Sequence, residues 1–302
     1  MRNHYSLALS LILGSALLAA PLIAQAGGTI KGKVTFSGKV PPPKKFALEK
    51  FPNSPFCSKN PSVQNVKIVE KMVEIEGKGG KKKVKQTVAT GDRLLKEVEV
   101  DANKGLKNAV VSVRGIKDLE WMKGYKRTEV IAKLCEFLPY TGVVISMSKS
   151  LKKKGVKAKF YVENTDADPD DPKSKEGVLH NPHGFDVLGA KSKTLFNIGL
   201  ARKGDTMEKP LKMKFARKGS VMKLVCDQHE FMQGWFLPVT NPHYTVVNTD
   251  GTFEIKDVPA GKHKVLVWHP VVAKNVVKKA IEIEVDVKDG ATVEANFDIK
   301  KK

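Results

Sequence analysis

Val221-Met222-Lys223-Leu224-Val225-Cys226-Asp227-Gln228-His229-Glu230-Phe231-Met232 is the most informative stretch of the chain. Its apolar start, Val221 to Val225, reads as a buried strand that delivers Cys226 to a strand end. Beyond it come a thiol, an imidazole three residues on and a thioether three further. Soft sulfur ligands and imidazole select copper when a fold holds them together at such an end. A second imidazole is supplied upstream, where Leu179-His180-Asn181 follows the strand-like Lys157 to Val162; His183, three residues later, is a rival to His180. The expected metal ligands are therefore His180, Cys226 and His229 in a trigonal plane, with Met232 as a weak axial ligand. Zinc is the chemical runner-up, but it takes four strong ligands in structural sites, and Met is a poor one. The set has no open equatorial position and no acid/base pair, so catalysis is not implied and an enzyme is not expected.

Outward from that loop, almost every periodic segment has a period of two. Ile30, Val34 and Phe36 alternate with Lys31, Lys33 and Thr35, and Ile281, Ile283, Val285 and Val287 alternate with Glu282, Glu284 and Asp286. Lys288-Asp289-Gly290 then turns the chain into Val293, Ala295, Phe297 and Ile299, a hairpin pattern. The 24 glycines and 16 prolines favour turns over long helices, and no segment shows sustained helical spacing with caps. The expectation is an all-β chain. Composition divides it into residues 27–120, with a proline turn at Pro41-Pro42-Pro43 and a Lys/Gly-rich hairpin near 78–85; residues 126–240, which hold most of the Cys, His and Met of interest; and residues 241–302, again regular strand and turn.

Residues 1–26 read as a cleaved signal peptide: Arg2 opens it, Leu7 to Ala24 is nearly all apolar, and Ala24-Gln25-Ala26 is a small-x-small cleavage pattern. This places the protein in the periplasm or outside the cell. Removing the leader takes one arginine and no acid, which leaves +20 of the chain's +21. Export and the scarcity of stacking aromatics in the lysine-rich turns argue against nucleic acid. The lysines read first as a solvated surface. Their second reading is a docking face for a redox protein with an acidic side, such as an acidic cytochrome c or redox enzyme, or for an anionic membrane surface. An apolar patch near His229 and Phe231 is the alternative docking surface.

Two resemblances add to this reading. Gly28-Thr29-Ile30-Lys31-Gly32-Lys33-Val34, Gly105-Leu106-Lys107-Asn108-Ala109-Val110-Val111, and Thr249 to Ile255 with Val258-Pro259-Ala260-Gly261 resemble the carboxypeptidase regulatory-like domain, a transthyretin-like β-sandwich. Their order implies one sandwich split around an inserted central domain. The Cys-x-x-His-x-x-Met loop with an upstream His-Asn resembles the cupredoxins, in particular the short loop of amicyanin-like members, although Glu230 and Phe231 stand where those loops commonly carry Pro and Trp. The combination is similar to exported proteins of methylamine-utilisation or plastocyanin-like type. It implies a cupredoxin-like Greek-key sandwich inserted into a regulatory-like sandwich, one type 1 copper, and single-electron transport between redox partners. The family position of the first imidazole is the His directly before Asn, which favours His180 over His183. A non-redox binding or adhesion module and a copper carrier are the alternatives.

If Cys226 is committed to metal, Cys57 and Cys135 remain to form a disulfide in an oxidising compartment. Asp166-Ala167-Asp168-Pro169-Asp170-Asp171 imitates the start of a calcium loop, but Asp171 stands where Gly is needed, so it reads as a solvated acidic loop. His243, His263 and His269 read as structural, and Trp268 as part of the sandwich core.

Overall fold

The computed structural model describes residues 27–77, 80–172, 174–277 and 279–300. The expected signal peptide at 1–26 lies outside the described residues. The described chain is all-β, as its period of two predicts, with five sheets and only short helical turns. No helix among the described residues is long and apolar enough to cross a membrane.

The N- and C-terminal stretches build one sandwich together. Gly28–Phe36 lies between Thr252–Val258, which runs antiparallel to it, and Thr292–Glu294 and Phe297–Ile299, which run parallel. The facing sheet has the order Tyr244–Val246, Val110–Val113, Gly261–Trp268, Ile281–Val287. The alternation explains the layering: Ile30, Val34, Phe36, Val111, Val265, Val267, Phe253 and Phe297 meet inside, while the intervening lysines and glutamates face water. Gly105 and Gly251 are needed where backbones touch. A Cβ on Gly105 would sit 1.8 Å from the Asp250 carbonyl oxygen, and Gly251 has φ +81°.

The central stretch leaves and rejoins this sandwich through neighbouring strands. Val110–Val113 pairs antiparallel with Tyr244–Val246, and Asn241 Nδ2 donates to the carbonyls of Val113 and Ile116 at 3.1 Å each. Between them, a five-stranded sheet (Lys191–Asn197, Pro182–Leu188, Val221–Cys226, Gln233–Pro238, Thr141–Val144) faces a four-stranded one (Thr206–Lys209, Lys159–Asn164, Arg127–Ala132, Phe137–Leu138). Phe160, Val162, Phe196, Met222, Leu224 and Phe236 fill the space between. Trp268 is fully buried, but it lies in the cluster that joins the two sandwiches, with Val110, Val143, Val221 and Leu237, rather than in the core of its own.

One segment departs from the compositional division. Composition places residues 44–95 with the first sandwich, yet Leu48, Phe56, Cys57 and Ala89 belong to the core of the central unit. The segment forms its own sheet, Lys44–Ala47 against Gly80–Leu95 against Val63–Gly77. Its apolar residues are spaced too irregularly for periodicity to reveal which core they enter.

Candidate metal centre

The geometry of the loop follows from its spacing of three. The His229 amide donates to the Cys226 carbonyl at 3.2 Å, and the Met232 amide to the His229 carbonyl at 2.9 Å, so each step closes a tight turn. The Cys226 amide donates back to the Met232 carbonyl at 3.2 Å, which fixes both ends of the loop as neighbouring strands begin. His180 arrives from the adjacent strand: Pro182 pairs with Cys226, and the Asn181 amide donates to Cys226 Sγ at 3.3 Å.

Three expected ligands converge. His180 Nδ1 is 4.0 Å from Cys226 Sγ, and His229 Nδ1 is 3.7 Å from it. A metal bound trigonally by a thiolate at ~2.3 Å and an imidazole at ~2.0 Å sets these S···N separations at roughly 3.8 Å, so the three donors fit one ion. His180, His229 and Met232 are wholly buried and Cys226 nearly so. His183 is not part of this group: it lies on the outer side of its strand, partly buried, with Nδ1 3.1 Å from Asp227 Oδ2 and its ring stacked on Phe185.

Electrostatics favour a thiolate. Burial alone would push the Cys226 thiol up, but hydrogen bonds and charge from the two imidazoles outweigh it and bring the pKa from 9.0 to about 6. His180 responds in the opposite sense. Burial pushes it down, while Asp166 and Cys226 together carry it above its ordinary value.

Asp166 is the functional residue that the sequence reading missed. The acidic run is solvated only in its second half: Asp166 and Asp168 are buried, while Pro169 and Asp170 are exposed. Asp166 accepts from His180 Nε2 at 2.9 Å, from the Leu134 amide at 2.6 Å and from the Cys135 amide at 2.9 Å. It thereby fixes which edge of the imidazole faces Cys226, the role that a carboxylate behind a ligating histidine performs. Only its position fourteen residues before His180 hinted at this.

The other imidazole is closed off by the segment at 44–60. His229 Nε2 is 3.1 Å from the Pro52 carbonyl and 3.6 Å from Cys57 Sγ, and Cys57 is bonded to Cys135 as a disulfide. Phe46, Phe51 and Phe231 pack edge to face, with Phe51 and Phe231 centroids 5.1 Å apart. Arg93 lies over the Phe231 ring, 5.3 Å from its centroid. His229 and Phe231 are therefore buried, and the apolar docking patch expected around them is not a surface; aromatic side chains from a distant segment already cover it.

No family model matches the chain, and no curated protein matches it. Among solved structures, a novel purple cupredoxin from Nitrosopumilus maritimus is similar over 37% of this chain and 99% of its own, at 18% identity and a TM-score of 0.24. A copper-containing nitrite reductase from Thermus scotoductus SA-01 is similar over 38% of this chain and 23% of its own, at 14% identity and a TM-score of 0.25.

Proposed function

We propose that the protein is an exported type 1 copper protein of cupredoxin-like build that carries single electrons between redox partners. The observation that carries this reading is the convergence of two imidazole Nδ1 atoms on one buried thiol, 3.7 and 4.0 Å away, with Met232 on the same loop. Copper suits this donor set better than zinc, because two nitrogens, one thiolate and a thioether offer only three strong ligands. A bound copper ion would supply the one-electron exchange.

The chain's own residues supply the rest. Asp166 and the Pro52 carbonyl hold the far nitrogens of His180 and His229, so neither ring needs to turn when the charge at the centre changes. The Asn181 amide aimed at Cys226 Sγ stabilises negative charge on sulfur. Phe46, Phe51 and Phe231 exclude water from the His229 side. With the imidazole edges enclosed, the lysine-rich surface is the feature that meets a partner, and the expected partner presents an acidic face. Replacing Cys226 by Ser tests the assignment: the thiolate-to-copper absorption of the Cu(II)-loaded chain should vanish while the β-sheet circular dichroism stays. An unchanged visible spectrum in Cys226→Ser would sink it.

A further inference from the structure

His229 faces sulfur on both edges. Its Nδ1 side meets Cys226, while Nε2 lies 3.6 Å from Cys57 Sγ, and the donor atoms of Cys57, Cys135 and His229 all fall within 4.8 Å of one another in a buried cluster. The backbone at both cysteines is held by hydrogen bonds that do not involve the disulfide. Asp166 accepts from the Leu134 and Cys135 amides, and the Cys57 amide donates to the Asn53 carbonyl at 3.0 Å. Opening the S–S bond would therefore leave two thiols and an imidazole still directed at one point.

We propose that the Cys57–Cys135 disulfide is the closed form of a second metal site, which takes Cu(I) when reduced. Two electrons and two protons from a dithiol reductant break the S–S bond, giving thiols at Cys57 and Cys135 and oxidising the reductant to its own disulfide. One Cu(I) then binds both sulfurs, with His229 Nε2 as a third donor. The two thiol protons pass to solvent, and the Nε2 proton that faces the Pro52 carbonyl moves to Nδ1, so the ring binds Cu(I) as its neutral Nδ1–H tautomer. Two thiolates and one imidazole form a soft, low-coordinate set that favours monovalent copper over harder ions. The redox state of the disulfide thus decides whether the region beside His229 is a sealed wall or a metal-binding site. This inference does not rest on the type 1 reading, since it needs no ion at Cys226, but the two sites share His229, and a ring with its proton on Nδ1 serves only the second.

The test uses Cys226→Ser, which lacks the first site's thiol. Its thiol count should rise from zero to two on treatment with dithiothreitol, with circular dichroism retained. After desalting under argon, competition with bathocuproine disulfonate should show one tightly bound Cu(I) in the reduced chain and none in the oxidised one. Copper-edge X-ray absorption should find two sulfurs and one nitrogen, and adding His229→Phe should weaken Cu(I) binding at least tenfold. A folded, reduced chain that takes no Cu(I) would overturn the proposal. So would a sulfur-only copper environment, a disulfide that cannot be opened in the folded chain, or loss of fold on reduction.

Discussion

Both sandwiches bury histidine completely, His180 and His229 in the central unit and His269 in the flanking one, and His180 and His269 are set up for opposite tasks. His180 has a carboxylate on one ring nitrogen and a thiol near the other, and its affinity for a proton is raised despite burial. Among the described residues His269 has no charged neighbour acting on it and no partner at Nε2: its Nδ1 accepts from the Val271 and Val272 amides at 3.2 and 3.4 Å, and burial pushes its pKa to about 4. Equal burial thus produces a ring with raised proton affinity in one place and a locked neutral ring in the other. What separates them is the partner set and not the depth. The same contrast runs through the two cores, which are both apolar sandwiches and differ in what their strand ends carry.

Asp166→Ala should have the largest effect. It strands two backbone amides and the His180 ring, and removing one member of such a buried network costs about 3 to 5 kcal/mol. Denaturant unfolding of the metal-free chain should show that loss, whereas Asp166→Asn, which keeps the shape and some of the hydrogen bonds, should lose less. Equal stability of Asp166→Ala and wild type would erase the contrast with His269. Replacing both Cys57 and Cys135 by Ala should follow closely. The bridge spans 78 residues, so the chain-entropy estimate is about 4.5 kcal/mol. Hydrogen exchange should accelerate in the central unit first, because the bridge ties residues 44–60 to that core and not to the flanking one.

His269 sharpens the comparison from the other side. Its folded pKa is depressed, so its contribution is complete above the unfolded value of 6.5 and is lost as the pH falls toward about 4. On the order of 3 kcal/mol of acid sensitivity belongs to that one ring. Thermal melts of His269→Asn, which retains an acceptor for the two valine amides, should lose most of this slope between pH 6.5 and 4. The smallest effect concerns the surface. With an acidic cytochrome c as partner, the second-order electron-transfer rate should fall about tenfold from low to high salt, while the visible spectrum of the buried centre stays the same. A flat salt dependence would reduce the lysines to solubilising groups.

The sequence makes the loop legible because its chemistry is local: Cys226, His229 and Met232 are three apart, and the turns that join them use only their own backbone. Strand alternation likewise reveals the two sandwiches, since in-and-out facing is written at period two. Asp166 stays hidden because an acidic run looks solvated until its amide partners at 134 and 135 are known. The cover over His229 is hidden for a similar reason: Pro52 and Cys57 reach it across more than 170 residues of chain, and nothing local to either signals the contact.

The most direct test of the central assignment is the visible absorption spectrum of residues 27–302 after addition of one equivalent of Cu(II). We expect an intense thiolate-to-copper band that saturates at one ion per chain and disappears in Cys226→Ser. A colourless protein, or a band that Cys226→Ser retains, would contradict a copper centre built on Cys226, His180 and His229.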